Sequence, residues 1–208
     1  MRNRKTILIL ASASPARAAL LRAAGLRFRV VPSAAAEPPP APGEALRTYL
    51  IRLARLKAQV VAARYPQAVV LAADTALCLP PARPPAKTRL QIIGKPGNQP
   101  RARRMLRQLA GKEHLLGTGL CIMVGGQART ACDMARVRLR ELTPIEIEEY
   151  LRRAQPWHCA GAYALQGAGA SIVSRIHGDP TTIIGLPLEK TLRLLHSVAY
   201  RQMPDPDQ

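Results

Sequence analysis

Ser12, Ser14 and Arg17 stand within six residues, at the point where an apolar run meets Ser14-Pro15. A helix that begins there presents unpaired N–H groups and a partial positive charge, the ordinary equipment of a phosphate site. The two hydroxyls and the guanidinium fork add directed donors. Plain helix capping by Ser14 explains the same residues without a ligand. Asp74-Thr75 follows the continuous apolar run AVVLAA, residues 68–73. A carboxylate that ends a buried strand sits where open α/β sheets place their sites, although an Asp also caps turns. Lys95 lies between Gly94 and Pro96, in a constrained turn. It is a better anion ligand than Arg101, Arg103, Arg104 and Arg107, whose spacing suits a solvated helix face. Gln166-Gly167 sits inside AGAYALQGAGA. Glycine there permits close backbone approach, and a neutral amide can read a base edge with one donor and one acceptor; a hairpin or bulge would need the same glycines. His114, His158, His177 and His196 show no metal-ligand spacing and read as structural. No P-loop, G-x-G-x-x-G or G-x-S-x-G segment is present.

These residues need elements to hold them. Residues 6–11 read as a strand. Ser14-Pro15 opens a helix that stops at Gly25, with a hydroxyl cap, proline in the first turn and glycine past the end. Residues 44–64 carry apolar groups at 46, 50, 53, 54, 57 (the Lys stem), 60 and 61, which is helical spacing. Residues 68–73 read as a strand that delivers Asp74 at its end. Residues 100–110 form a helix closed by Gly111, and two strands flank Gly125-Gly126. Thr143-Pro144-Ile145-Glu146 is a capping box that opens a helix to about residue 154. A glycine-rich strand pair is expected over 161–178, and a last helix from Pro187. Proline-rich stretches at 32–43 and 80–87 can only be surface loops, the second reading as an inert insertion. The alternation is that of an α/β or mixed α+β domain.

The 208 residues are 48% hydrophobic, enough for a core. Lys and Arg number 31 against 13 acids, a net +18, and 25 of the 31 are Arg. Such a balance suits a phosphate-bearing ligand, nucleic acid or a membrane surface; Arg-rich codon usage accounts for it equally well. With 3% aromatics the chain is poorly equipped to stack bases in series, which weakens a single-strand-binding role. Cys78, Cys121, Cys132 and Cys159 form no C-x-x-C pair and fit a reducing cytoplasm. No apolar run approaches the ~18 residues of a membrane span. The N-terminal MRNRKTILILASASPA mimics a leader, but its apolar centre of four residues plus Ala11 falls short of the ~7–15 of a signal peptide.

Taken in order, the motifs resemble the Maf family of nucleoside triphosphate pyrophosphatases (septum-formation-inhibitor-like proteins). LASASPARAALL matches the family's L-A-S-x-S-P-R-R-x-x-L-L. Glu37 follows as the acid after the first helix, then LARLKA with Lys57, AADT with Asp74 and Thr75, G-K-P with Lys95, His114 and Thr118 of H-x-x-x-T-G, AGAYALQG with Gln166, and GLPL. Each is short; together and in order they are specific, and they cover residues 7–195. The resemblance implies one Maf-like domain, with an elongated mixed sheet flanked by helices, two lobes around a nucleotide cleft and a short disordered tail near 202–208. It implies hydrolysis to a nucleoside monophosphate and pyrophosphate, with a divalent metal, Mg²⁺ or alternatively Mn²⁺. Asp74 is then the catalytic base and a metal-associated acid together with Glu37. Ser12, Ser14, Arg17, Lys57 and Lys95 bind the phosphates, and positions 16, 75 and 166 select the base.

The chain departs from the pattern. The first Arg of S-P-R-R is Ala16, and the acid usually found before Glu37 is Ala36. The loop between Asp74 and Lys95 is long. Thr75 and Gln166 match the dTTP/UTP type, whereas PWHCAG (156–161) and RYP (64–66) look like the 7-methyl-GTP type. The expected activity is therefore a cytoplasmic pyrophosphatase for dTTP/UTP or modified nucleotides. The alternatives are a 7-methyl-GTP pyrophosphatase, or a catalytically weakened protein that binds nucleotides or nucleic acid through its positive charge. Pairing with a second copy stays open.

Overall fold

A computed structural model describes residues 6–79, 91–198 and Tyr200. The proline-rich stretch 80–87 and the tail near 202–208 lie outside the described residues. Seven strands form one mixed sheet. The apolar N-terminal run makes β1 (Leu8–Leu10). It is flanked in parallel by β2 (Arg29–Val30) on one side and β3 (Val69–Leu79) on the other. Beyond β3 the sheet turns antiparallel through β5 (Glu113–Val124), β6 (Gln127–Leu139) and β7 (Val173–His177). The short β4 (Gln91–Ile93) pairs only with the far end of β3.

The helices follow their local signals. Helix α1 (Pro15–Ala23) is capped by Ser14, whose hydroxyl accepts from the Arg17 N–H, and Gly25 past its end has φ +71°. Helix α4 (Pro144–Ala154) carries a complete capping box between Thr143 and Glu146. Helix α3 (Gln99–Leu109) starts at the Asn98 cap, and α6 (Leu188–Ser197) follows Pro187. Helix α2 (Leu46–Arg64) buries Leu46, Leu50, Leu53, Ala54, Lys57, Ala58 and Val61. Val60, expected on that face, is 40% exposed, and Ala58 takes its place.

Among the described residues, helix α2 is the helix that covers one side of the sheet's middle. It crosses β5 so closely that a Cβ on Gly119 would come within 2.5 Å of the Leu50 carbonyl carbon. On the other side, α1 and α6 pack near β1, and α3 and α4 pack against the β6 end around Leu106, Leu109, Val137 and Leu151.

Three sequence expectations change. β3 does not stop at Asp74 but runs five residues further, because Thr75–Cys78 continue the ladder with β5, down to Cys78 opposite Leu115. The glycine-rich segment 161–178 holds one strand, not a pair. Gly161 and Gly167 have positive φ and turn the chain through two short 3₁₀ turns, so only β7 reaches the free edge of β6. A single-turn helix, α5 (Pro180–Ile184), stands before Gly185.

Candidate active site

One edge of β3 is incomplete. β1 pairs with residues 69–71 and β4 with residues 77–79, leaving 72–76 without a strand partner on that edge among the described residues. Asp74 and Thr75 sit in this gap. Ser12 leaves the end of β1 beside it, and Lys95 follows the end of β4. The two packed ends of the sheet thus border this gap. Strand alternation sends the two gap residues to opposite faces: Asp74 towards α2, Thr75 towards α5.

On the α2 side, the buried Lys57 ammonium holds two carboxylates. It donates to Asp74 Oδ1 and lies 2.6 Å from Glu37 Oε1. Lys95 Nζ stands 4.0 Å from the same Glu37 oxygen, with its side chain partly exposed. Glu37 comes from the proline-rich loop 32–43, which therefore edges the cleft. Arg52 fastens that loop to α2 through Glu44 and the Pro39 carbonyl. Burial pushes the Glu37 carboxyl up. The hydrogen bond and charge of Lys57, with Lys95 and Arg17 beyond, outweigh it and hold Glu37 below the ordinary carboxylate range. Among the described residues no three His, Cys, Asp or Glu side chains cluster to hold a metal by themselves. Two carboxylates turned to one cation form instead the small donor set on which Mg²⁺, completed by substrate phosphates and water, is ordinarily held.

On the other side lies Arg17, only 8% exposed. Its Nε donates to the Gly185 carbonyl (2.8 Å), Nη1 to Ser12 Oγ (3.1 Å) and Nη2 to Thr75 Oγ1 (3.0 Å). One hydrogen on each terminal nitrogen remains for a ligand. Burial lowers its pKa, and Asp74 and Glu37 pull it back up. Thr75 Oγ1 and Thr118 Oγ1 are 2.8 Å apart, and Thr118 donates to the Thr182 carbonyl at 2.7 Å. A carbonyl cannot donate, so the Thr118 proton is committed. Thr75 must then give its own proton to Thr118 while accepting from Arg17. Towards the cleft, Thr75 has only a lone pair to offer.

The fold thus brings together Ser12, Arg17, Glu37, Lys57, Asp74, Thr75 and Lys95. Ser14 spends its hydroxyl on the helix cap. Gln166 is exposed, and among the described residues no hydrogen bond joins it to Thr75. Ala16 is half-buried at the start of α1 and offers no polar group. His114 is buried against the Tyr163 hydroxyl (2.7 Å), and burial lowers it to about 4, so it is neutral and structural. The sequence reading assigned no role to Thr182, Gly185 or Asp133. Gly185 opens the quoted GLPL motif and Thr182 lies three residues before it; Asp133 carries no local signal.

A family model described as Maf-like protein matches residues 7–198. A dTTP/UTP pyrophosphatase of Myxococcus xanthus is 40% identical over 191 residues, covering 92% of each chain. A 7-methyl-GTP pyrophosphatase of Nitrosococcus oceani is 37% identical over 196 residues, 93% of this chain and 94% of that one. A dTTP/UTP pyrophosphatase of Syntrophus aciditrophicus is 38% identical, covering 90% of this chain and 88% of its own. With the ordered motifs folded into one cleft and a match of this length, the chain belongs to the Maf family.

Proposed function

We propose that this protein hydrolyses nucleoside triphosphates to a nucleoside monophosphate and pyrophosphate, with dTTP and UTP preferred. The observation that carries the reading is the Lys57 ammonium between Asp74 and Glu37, in the break of the β3 edge, with Arg17 and Lys95 on either side. Two carboxylates alone would repel a triphosphate. Lys57, Lys95, Arg17 and the α1 N-terminus offset that repulsion and supply what a polyphosphate needs.

Lys95 and the free Arg17 hydrogens bind phosphate oxygens, and Ser12 stays fixed by Arg17 to line the same turn. Asp74 takes the proton of a water directed at the α-phosphorus, and the β- and γ-phosphates leave as pyrophosphate, bound by the same cations. Lys57 keeps Asp74 aimed until substrate arrives. Asp74 and Glu37 would hold a divalent ion, Mg²⁺ or Mn²⁺, which when bound supplies charge neutralisation on the phosphates and a more acidic water. Four free cysteines, three of them buried, suit the cytoplasm, and among the described residues no helix is long and apolar enough to cross a membrane.

Base choice rests on Thr75. Its acceptor-only hydroxyl suits thymine and uracil, whose N3 carries a hydrogen, and opposes cytosine, whose N3 is itself an acceptor. Ala16 leaves the pocket mouth without a guanidinium or an indole, which makes the preference shallower. A 7-methyl-GTP preference is the second reading, favoured by the PWHCAG segment. Gly97 N–H bonds the Trp157 carbonyl (3.0 Å) and Gly161 N–H the Gly94 carbonyl (3.0 Å), so that segment is tied to the Lys95 turn.

The test is kcat/KM for dTTP, UTP, CTP, GTP and 7-methyl-GTP with Mg²⁺, Mn²⁺ or chelator, in ¹⁸O-labelled water. Label in the monophosphate and release of pyrophosphate support the reading. Nucleoside diphosphate and inorganic phosphate as products overturn it. A preference of about tenfold for 7-methyl-GTP replaces dTTP/UTP with the second reading.

A further inference from the structure

Asp133 touches neither the carboxylate pair nor the phosphate cations, yet it is tied to the cleft by a continuous hydrogen-bond chain. It lies on β6, opposite Thr118 of β5. Its Oδ2 accepts from Thr182 Oγ1 at 2.5 Å, and its Oδ1 accepts from Lys190, which also donates to the Cys132 carbonyl at 3.2 Å. Burial pushes Asp133 up, but the hydrogen bonds from Lys190 and Thr182 outweigh it and hold it below the usual carboxylate range.

The residue it grips is central to α5, a helix of five residues that cannot hold itself by its own ladder. Three anchors set its place. Asp179 caps its start, accepting from the Thr181 N–H at 2.8 Å. Asp133 holds Thr182 in its middle. The Arg17 Nε holds the Gly185 carbonyl at its end. In return α5 supplies the carbonyl that commits the Thr118 proton. Thr118 and Thr182 are both fully buried, where an unpartnered hydroxyl is costly.

We propose that Asp133 is a positioning residue for base selection. Through Thr182 and then Thr118, it fixes the Thr75 hydroxyl as an acceptor towards the cleft. Without this anchor the Thr182 carbonyl moves away from Thr118. Thr118 then gives its proton to Thr75, and the freed Thr75 proton can turn to the cleft and meet the N3 acceptor of cytosine. The inference rests on the dTTP/UTP reading above, with Thr75 facing the base.

Steady-state kcat and KM for dTTP, UTP and CTP are measured on wild type, Asp133→Ala, Thr182→Val, Thr182→Ser and Thr118→Val. The dTTP-to-CTP ratio of kcat/KM falls about fivefold or more in Asp133→Ala, Thr182→Val and Thr118→Val, mainly through KM. Thr182→Ser, which keeps the hydroxyl, retains the wild-type ratio. Asp133→Ala combined with Thr182→Val is no worse than either alone, because both cut the same link. A uniform loss on all three nucleotides, or a lower Tm with the ratio unchanged, makes Asp133 merely structural and overturns the inference. Thr118→Val is close to isosteric and breaks the chain at its centre, so unfolding of the Asp133 variant leaves the question decidable. Wild-type protein that hydrolyses neither dTTP nor UTP sinks the functional reading; wild-type selectivity preserved in every variant sinks this inference alone.

Discussion

Asp74 is both partner to a buried lysine and, in the proposed reaction, base to a water. Asp74→Asn keeps the shape and removes the charge and the proton acceptor. Lys57 retains Glu37 as a partner, so the fold persists by circular dichroism while kcat drops by about 10²–10⁴-fold. A variant with more than about a tenth of wild-type kcat shows that another group takes the proton. Arg17 and Lys95 divide along the same line between structure and binding. Lys95 is partly exposed, so Lys95→Ala weakens nucleotide binding by about 1.5–3 kcal/mol with little change in Tm. Arg17 is buried and ties Ser12, Thr75 and Gly185 together. Arg17→Ala therefore raises KM and lowers Tm together. Isothermal titration with a non-hydrolysable triphosphate, beside thermal melts, separates the two. Equal melts for both variants contradict the buried role of Arg17.

At the scale of elements, the site depends on how closely α2 approaches the sheet. Gly119 is the register partner of Asp74, and the Leu50 backbone lies on it. Lys57 follows Leu50 by two helical turns, so the crossing point aims its ammonium at Asp74. Gly119→Ala places a methyl 2.5 Å from the Leu50 backbone carbonyl carbon, well inside contact distance. Overpacking of this kind costs about 1–3 kcal/mol. It also lifts α2, so activity falls by more than the fraction of protein unfolded. Urea melts and kcat on the same preparation check it; lost stability with intact kcat refutes the link between crossing and chemistry. Helix α4 offers a pH test. Hydrogen bonds from the Thr143 backbone, Arg140 and the Thr143 hydroxyl lower Glu146 from 4.5 to about 2. A depressed carboxyl stabilises the fold fully above its ordinary value and loses that contribution as pH falls towards its folded one. Glu146→Gln keeps a capping side chain but cannot titrate. Its stability curve should therefore be flatter than wild type between pH 4.5 and about 2.

Over the whole molecule the net charge of +18 is not spread evenly. On the β6–β7 edge Arg138 faces Arg175, both exposed. Like charges directly across a ladder are destabilising. Arg175→Glu should stabilise the protein by about 0.2–1 kcal/mol at low ionic strength. The gain should shrink as salt shortens the Debye length below about 10 Å. Urea midpoints at low and high salt measure this, and turnover should not change, because this edge is remote from the β3 gap. A gain independent of salt would point to packing instead of charge.

What the sequence determined by itself is local or ordered along the chain. Ser14-Pro15 with Gly25, and Thr143 with Glu146, marked the ends of α1 and α4 because caps are satisfied within one turn. The ordered motifs singled out Asp74, Glu37, Lys57, Lys95 and Arg17, which the fold brings near one another. Tertiary structure alone decided where β3 ends, because the pairing that carries it past Asp74 comes from β5, beginning with Thr75 opposite Thr118, 43 residues away. It alone decided that Ser12 serves Arg17, and that α5 exists at all, since five residues hold a helical turn only where distant side chains anchor it. Thr75 and Thr118 are 43 residues apart, Asp133 and Thr182 49, Arg17 and Gly185 168. Hydrogen bonds across such separations leave no periodicity in the chain, so the direction of the Thr75 proton exists only in the folded molecule.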